Sequence, residues 1–345
     1  MTLLDEYRTL RGAAGIVDRS ARGRLIVRGV DRRAYLQGLL SNDIAALTEG
    51  AGCYATYLTA HGRMIADLRV FETGEHLLVD LDSSLAQPVA DRWAQFVFSE
   101  DVQIDNVTGS TAQIGVYGPE AAKVVSTACR GANQDGPADE FLEALPVYAT
   151  TRWSFADVTV QALRTDDDGV LGFDLVVPAA ARIDTAQRLV AAGAREVSAQ
   201  AAEVTRIEAG RPLFHVDMDE DTIPLEAGLE DRAISQTKGC YVGQEIIIRV
   251  LHRGHGRVAR KLVGLALTSE ATVPARGAPI TSDGREIGSI TSAVQSLGLG
   301  HPIALGYVHR DFTAPGTPVD IQTARGVVSA LPFVSLEAKR VSVPT

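Results

Sequence analysis

From Leu262 to the C-terminus the chain consists of short apolar segments that are separated by glycine or proline. Regularly spaced strands with turn residues between them are typical of antiparallel sandwiches and barrels. This region therefore predicts a small antiparallel barrel, with a boundary near Gly254, His255 and Gly256. The clearest strand segments are residues 262–267, 286–292 and 303–308.

Strands and helices interleave in the first 256 residues. Asp31 can cap a helix whose apolar face includes Leu36 and Leu40, and this helix lies between strands at 24–30 and 53–58. A similar order of elements follows from Pro119 onward. The patterns predict an α+β fold with two related units, over 1–117 and 118–256, and a barrel over 257–345. Further predicted strands are 64–71, 77–82, 102–107, 112–117, 145–164 and 173–177, and further predicted helices contain Trp93, residues 119–131 and residues 183–192.

The composition limits the partners that this chain can have. Of its 345 residues, 46% are hydrophobic and 22% are charged, which is ordinary for a globular protein. The formal net charge of −10 argues against nonspecific binding to nucleic acid or to an anionic membrane. No apolar run approaches the roughly 20 residues of a membrane span. The N-terminus carries early acids and no basic-then-apolar leader, so we expect a cytoplasmic protein.

The basic residues between Arg249 and Lys261 have two open interpretations. They can hold the anionic tail of a ligand, or they can form a solvated helix face and linker. The cluster comprises Arg249, His252, Arg253, His255, Arg257, Arg260 and Lys261.

Cys53, Cys129 and Cys240 are the three cysteines, and they lie far apart in sequence with no C-x-x-C pair. This spacing argues against a disulfide framework and against a zinc or iron–sulfur ligand set within the chain. We therefore expect no bound metal.

The segment from Lys238 to Glu245 reads K-G-C-Y-V-G-Q-E. Gly239 and Gly243 permit a tight backbone path, and the apolar residues after Gly243 recur with the spacing of one helix face. Cys240 is then placed just ahead of a helix N-terminus and two residues from an ammonium group. Both features lower the pKa of a thiol, so Cys240 is a candidate reactive thiolate. The alternative is a small buried hydrophobe beside a solvated lysine.

This octapeptide resembles the motif of the YgfZ family, folate-binding relatives of the glycine-cleavage T protein that support iron–sulfur enzymes. The resemblance implies three domains around a central folate channel, with tetrahydrofolate or a one-carbon derivative bound there. It also implies iron–sulfur client or assembly proteins as partners, and Cys240 and Lys238 as acting residues. The other segments that resemble the family are residues 31–43, 62–68, 206–212, 217–220, 288–292 and 299–306.

The resemblance also places residues around the folate. Asp174 lies where the T protein has its pterin-binding acid, and a carboxylate can pair with the adjacent ring N–H and amino group of a pterin. Asp82 lies near a second pterin-contacting position, and Tyr54 matches an aromatic residue that packs on the pterin. The alternatives are a cap or turn role for the acids and a core role for Tyr54. Further cofactor-binding residues implied by the matching segments are Arg206, Tyr241, Gln244 and Glu245.

Asp67 matches the T-protein carboxylate that lies near the folate nitrogens and positions them for one-carbon transfer. Two departures count against that chemistry: Ala66 replaces the preceding acid, and Asp166, Asp167 and Asp168 replace the middle of a turn that is otherwise kept. Our first hypothesis is therefore a tetrahydrofolate-binding protein that assists assembly or repair of iron–sulfur enzymes through Cys240. The alternatives are a folate-dependent aminomethyl- or methyltransferase that uses Asp67, and a non-catalytic folate-binding scaffold.

Overall fold

The computed structural model describes residues 1–130, 136–155, 158–253 and 257–335. Within these residues the chain forms two β-sheets with helices against them, followed by a closed barrel. The predicted α+β class with a C-terminal antiparallel barrel is confirmed. The boundary expected at Gly254, His255 and Gly256 lies outside the described residues.

The first sheet has five strands and carries two helices on one face. Its interior is formed by aliphatic side chains around Trp93, which is fully buried. The elements are β2 (Arg22–Arg28), α2 (Arg32–Leu39), β3 (Gly52–Leu58), β4 (Met64–Glu72), β5 (Leu77–Asp82), α3 (Ser83–Ala94) and β6 (Gln103–Asn106). The strands are ordered β3-β4-β5-β2-β6.

The second sheet has six strands, and most of the remaining helices of the N-terminal region pack around it. Its elements are α1 (Leu3–Gly12), β1 (Gly15–Asp18), β7 (Thr111–Tyr117), α4 (Ala121–Cys129), α5 (Asp139–Ala144), β8 (Thr150–Phe155), β9 (Val158–Thr165), β10 (Gly172–Pro178), α6 (Arg182–Ala191), β11 (Arg195–Glu196) and α7 (Ala199–Glu208). The strands are ordered β11-β1-β7-β10-β9-β8.

The two units that we predict from the sequence share strands in the structure. β1 and β7 lie before residue 118, yet both belong to the second sheet. β7 pairs antiparallel with β1 and with β10, so that Gly115 faces Val17 on one side and Asp174 on the other. The boundary at 117 therefore coincides with the end of a strand and does not separate the two sheets. Periodicity predicts that a segment is a strand, but not which strand it pairs with.

The two sheets face each other across a layer that contains both apolar and charged side chains. Phe71 and Leu78 of the first sheet pack against Leu163 and Val176 of the second. Arg24, Arg69, Asp80, Gln113 and Asp174 are buried in the same region. The interface between the sheets is therefore where buried ionic contacts concentrate.

The segment after α7 crosses back to the first sheet before the barrel begins. It contains α8 (Glu230–Ala233) and α9 (Gln244–Ile248), and α9 continues as one π-helical turn over Arg249–Arg253. The helix predicted after Gly243 is present, but only five residues of it are α-helical. Gly243 adopts a φ of +84°, and a Cβ there would lie 2.5 Å from the Thr59 carbonyl oxygen.

The barrel closes in the order β12-β15-β14-β13-β16-β17. Buried carboxylates attach it to the rest of the protein: Glu208 accepts from Ser296 Oγ at 2.7 Å, and Asp217 accepts from Ser292 Oγ at 2.6 Å. Among the described residues, no helix has the length and apolar character that crossing a membrane requires. The barrel strands are β12 (Arg260–Leu267), β13 (Pro279–Ser282), β14 (Arg285–Gln295), β15 (Pro302–His309), β16 (Pro318–Ile321) and β17 (Ala324–Ser329).

Candidate functional site

Asp67 is a half-buried carboxylate with a tyrosine as its partner. It lies on β4, and the hydroxyl of Tyr54 on the neighbouring β3 donates to its Oδ2 atom at 2.7 Å. Part of the Asp67 side chain stays accessible to solvent, although most of its surroundings are protein. Burial raises the pKa of Asp67 above its ordinary value, while Arg22 and the Tyr54 hydroxyl act in the opposite direction. Such a carboxyl group is suited to exchanging a proton with a bound amine.

Tyr148 and Arg232 contact Tyr54, and we call the group of four side chains the Asp67 recess, defined by Tyr54, Asp67, Tyr148 and Arg232. The rings of Tyr54 and Tyr148 are nearly parallel, at 15°, with their centroids 6.2 Å apart. The Arg232 guanidinium lies over Tyr54, 5.2 Å from the ring centroid, and donates to the Tyr148 hydroxyl at 2.6 Å. Our sequence analysis missed both residues, because neither lies in a segment that resembles a known motif.

The three acids of the turn at 166–168 are all engaged by arginines. Asp166 pairs with Arg211 and Arg232, and Asp167 pairs with Arg232 at 2.9 Å and with Arg69 at 3.2 Å. Asp168 pairs with Arg19 at 3.0 Å. Arg69 and Arg232 hold the pKa of Asp167 below its ordinary value, although burial raises it. The substitutions that depart from the T-protein turn thus form part of an ionic network beside the Asp67 recess.

Asp174 lies in the buried layer between the sheets, where both of its oxygens have partners. Arg69 Nη2 lies 2.9 Å from Oδ2, Gln113 Nε2 donates to the same oxygen at 2.9 Å, and the Tyr117 hydroxyl donates to Oδ1. Arg69 also pairs with Asp80 at 2.8 Å. Asp174 must therefore exchange at least one partner before it can pair with a ligand.

Asp82 and Arg206, which we expect to bind cofactor, make internal contacts in the structure. Asp82 caps α3, because its Oδ1 accepts from the Ser84 backbone N–H at 2.8 Å. Arg206 is almost fully buried and pairs with Glu203 at 2.6 Å and with Asp217 at 2.7 Å. It also donates to Ser292 of the barrel at 2.9 Å. These contacts give both side chains a structural role, and folate binding by them stays a prediction.

The ammonium group of Lys238 caps the C-terminal end of α2. Its Nζ donates to the carbonyl oxygens of Gln37 at 2.6 Å, of Leu40 at 2.5 Å and of Asn42 at 3.0 Å. Burial lowers the pKa of Lys238 to about 8, although Asp43 and Cys53 act in the opposite direction. The ammonium group therefore points to the end of a helix, and activation of Cys240 by Lys238 stays a prediction.

The cysteine that Lys238 influences is Cys53. Lys238 lowers the pKa of the Cys53 thiol, but burial outweighs this effect and raises the pKa to about 12. Burial also raises the pKa of Cys129, to about 11. We therefore expect both thiols to react slowly in the folded protein.

Cys240 is exposed at the tip of the loop that carries the octapeptide. The neighbouring Tyr241 is buried, and its backbone N–H donates to the side chain of Gln244 at 3.3 Å. Glu245 lies exposed in the first turn of α9. The alternative interpretation of a buried cysteine beside a solvated lysine does not hold, because Lys238 is buried and Cys240 is exposed. The structure does not bring Cys240 into the set of contacts that defines the Asp67 recess.

Among the described residues, no group of three or more histidine, cysteine, aspartate or glutamate side chains is arranged to hold a metal ion.

Comparison with known proteins defines the class to which this fold and site belong. The model of the GCVT N-terminal domain matches residues 2–238, and that of the glycine cleavage T-protein C-terminal barrel domain matches residues 260–335. The chain therefore belongs to the glycine-cleavage T-protein family.

Relatives and a solved structure match along nearly the whole chain. It is 31% identical to the aminomethyltransferase of Streptomyces avermitilis over 339 residues, which is 95% of this chain and 88% of the relative. It is 30% identical to that of Cutibacterium acnes over 344 residues, covering 96% of this chain and 90% of the relative. The crystal structure of aminomethyltransferase T from Bartonella henselae superposes with a TM-score of 0.84 at 24% identity, covering 97% of this chain and 90% of that one. The T-protein-like fold is thus confirmed, whereas membership of the YgfZ family stays a prediction.

Proposed function

We propose that this chain binds tetrahydrofolate, or a one-carbon derivative of it, and transfers a one-carbon unit with Asp67 as the acting carboxylate. The observation that carries the proposal is the Asp67 carboxylate, which is half-buried, keeps accessible surface and accepts the Tyr54 hydroxyl at 2.7 Å. A carboxyl group with a raised pKa can take up and return a proton at an amine. The relatives named aminomethyltransferase support the same class of reaction.

The residues of the Asp67 recess fit the amine-bearing side of a reduced pterin. Tyr148 is half-buried and offers aromatic surface to a flat heterocycle, and Asp67 offers an acceptor for an N–H group, whereas the buried Tyr54 supports Asp67 through its hydroxyl. Folate, when bound, supplies the carrier of the one-carbon unit. The chain itself orients that carrier and exchanges a proton at Asp67. Asp174 fits less directly, because Arg69, Gln113 and Tyr117 already occupy its oxygens.

Asp67→Asn tests the role of the carboxylate. Asparagine keeps the size of the side chain and an oxygen that accepts from Tyr54, but it cannot exchange the proton. We expect tetrahydrofolate to bind within about tenfold of the wild-type affinity, whereas formation of methylene- or methyl-tetrahydrofolate from an amine donor falls at least about 100-fold. Asp105→Asn is the matched control, because Asp105 is exposed on β6 and pairs only with Arg28 among its described neighbours.

Two outcomes would contradict this proposal. A wild-type protein that does not bind tetrahydrofolate would remove the folate site altogether. A wild-type protein that binds tetrahydrofolate but turns over no amine donor would leave the non-catalytic folate-binding scaffold.

A second candidate function is assistance to iron–sulfur enzymes, as the YgfZ resemblance implies, and the exposure of Cys240 favours it. In this case tetrahydrofolate is bound in the same recess, and the thiol acts on a partner protein outside it. A strain that carries Cys240→Ala is then expected to lose activity of its iron–sulfur methylthiotransferases under oxidative stress. A strain that carries Asp67→Asn distinguishes the two functions, since one-carbon transfer requires Asp67 and does not require Cys240. Full methylthiotransferase activity in the Cys240→Ala strain would contradict this candidate.

A further inference from the structure

Arg232 contacts both aromatic members of the Asp67 recess, Tyr54 and Tyr148. We propose that Arg232 is a positioning residue, which acts through Tyr54 to hold the Tyr54–Asp67 hydrogen bond in place. The effect of Arg232 on catalysis rests on the proposed function. Its contacts with Tyr54 and Tyr148 do not depend on bound folate.

The contacts of Arg232 fix both aromatic rings of the recess. Its guanidinium lies 5.2 Å from the centroid of Tyr54, within the range of a cation–π contact. Its Nη2 atom donates to the Tyr148 hydroxyl at 2.6 Å and to Asp167 at 2.9 Å. Tyr148 in turn lies parallel to Tyr54 and donates to Asp167 at 3.0 Å. One guanidinium thus sets the position of one ring directly and of the other through its hydroxyl.

The backbone around Arg232 is attached to the strand that carries Tyr54. The side-chain amide of Asn42 donates to the carbonyl oxygen of Tyr54 at 2.8 Å and to that of Arg232 at 3.2 Å. Tyr148 adopts a φ of +66°, a conformation that non-glycine residues rarely hold without support from their surroundings. The arrangement therefore keeps Tyr54 and Tyr148 in a single geometry.

The shape of the guanidinium is essential to this role. A planar fork can stack on an aromatic face and donate several hydrogen bonds in fixed directions at the same time. A lysine at this position keeps the positive charge, but its ammonium is a compact group that cannot reproduce both contacts. Arg232→Lys therefore separates the positioning effect from the effect of charge.

The pKa of Asp67 reports on the position of the Tyr54 hydroxyl. The charged and titratable groups that act on Asp67 are Arg22 from β2, Tyr54 from β3 and Asp167 from the turn after β9. The hydrogen bond from Tyr54 favours the ionised carboxylate. Any displacement of Tyr54 therefore raises the pKa of Asp67 further, without a change in net charge.

The test is the titration of the Asp67 carboxyl carbon by 13C NMR in the full chain without folate. The Asp67 signal is assigned by its absence from the spectrum of Asp67→Asn. We expect Tyr54→Phe to raise the pKa of Asp67 by about one unit. Arg232→Lys should raise it by at least half as much, and the double variant should show no more than the Tyr54→Phe shift. Tyr148→Phe removes one acceptor of Arg232 without changing the charge, and it should raise the pKa of Asp67 by a smaller amount. This variant replaces Arg232→Lys in the test if Arg232→Lys does not fold.

Arg260→Lys is the matched control. Arg260 also lies over a tyrosine, 4.6 Å from the ring centroid of Tyr307, and also pairs with a carboxylate, Glu226 at 3.1 Å. It should leave the titration of Asp67 unchanged. The proposal is overturned if Arg232→Lys leaves the Asp67 pKa at its wild-type value while Tyr54→Phe shifts it, or if the two shifts add in full. Failure of the wild-type chain to bind tetrahydrofolate would instead overturn the proposed function. The titration would still test the positioning role of Arg232, because it is carried out without folate.

Discussion

The buried contacts of Arg69 lead to a quantitative prediction for Arg69→Met. Arg69 pairs with Asp80 at 2.8 Å and with Asp174 at 2.9 Å, and both carboxylates are fully buried. Removing one partner of a buried ion pair typically costs about 3–5 kcal/mol, because it leaves a buried charge without compensation. Asp80 keeps Arg22 and Gln113 as partners, and Asp174 keeps Tyr117 and Gln113. We therefore expect the lower end of the range, about 3 kcal/mol.

Scanning calorimetry measures this loss as a fall in Tm. At about 2–4 °C per kcal/mol for a domain of this size, Arg69→Met should lower the Tm by about 6–12 °C at pH 7.5. Arg28→Met is the matched control on the same sheet, because Arg28 and Asp105 form an ion pair whose side chains are 44% and 54% exposed. A surface pair of this kind contributes about 0–1 kcal/mol, so the control should lower the Tm by no more than about 4 °C.

Asp80 determines how the difference in Tm between the wild type and Arg69→Met depends on pH. Arg22 and Arg69 hold the pKa of Asp80 below its ordinary value although burial raises it, so the carboxylate stabilises the fold above about pH 4 and this contribution is lost at lower pH. In Arg69→Met the carboxyl group loses one of these cations and binds a proton more readily. The Tm difference between wild type and variant should therefore narrow as the pH falls below about 4. A variant that matches the Arg28→Met control at every pH would refute the reasoning.

Three further predictions concern the octapeptide and its neighbours. Lys238→Met leaves the carbonyl groups of Gln37, Leu40 and Asn42 without their donor, and hydrogen exchange should show weaker protection at the end of α2. Gly243→Ala should lower the free energy of unfolding by at least about 1–2 kcal/mol, because φ is +84° and the added Cβ meets the Thr59 carbonyl oxygen. Gly239→Ala is the control and should have little effect in chemical unfolding, because the space around Gly239 is open. Iodoacetamide should label Cys240 fastest in peptide mass spectrometry of the native protein, because burial raises the thiol pKa of the half-buried Cys53 and of the buried Cys129. Equal labelling rates at the three cysteines would contradict this order.

Local patterns predicted most of the strands and helices, since each depends on residues that are adjacent in sequence. Strands β3 and β4 follow from runs that contain β-branched and aromatic residues, β5 follows from a short apolar run, and the barrel follows from its glycine and proline spacing. The placement of β7 in the second sheet could not be predicted, because pairing between distant strands is decided by packing.

The functional site was predicted only where a segment resembles a known family. Asp67 lies in such a segment, Tyr54 matches a single aromatic position of the family, and the structure brings the two within hydrogen-bonding distance. Tyr148 and Arg232 come from a strand connection and a four-residue helix, where local sequence carries no signal of a shared recess. The role of Lys238 was also inaccessible, because its partners lie about 200 residues earlier in the chain.

The fold accounts for some residues of the octapeptide and leaves Cys240 unexplained. Lys238 caps α2, Tyr241 is part of a buried apolar cluster, and Gly243 allows the close approach to the turn between β3 and β4. Cys240 is exposed, so packing does not require a thiol at this position. We therefore expect Cys240→Ser to leave both the Tm and the affinity for tetrahydrofolate at wild-type values. Any defect of this variant in cells then reports the chemistry of the thiol, whereas a fall in Tm of several degrees would show that the cysteine serves the fold instead.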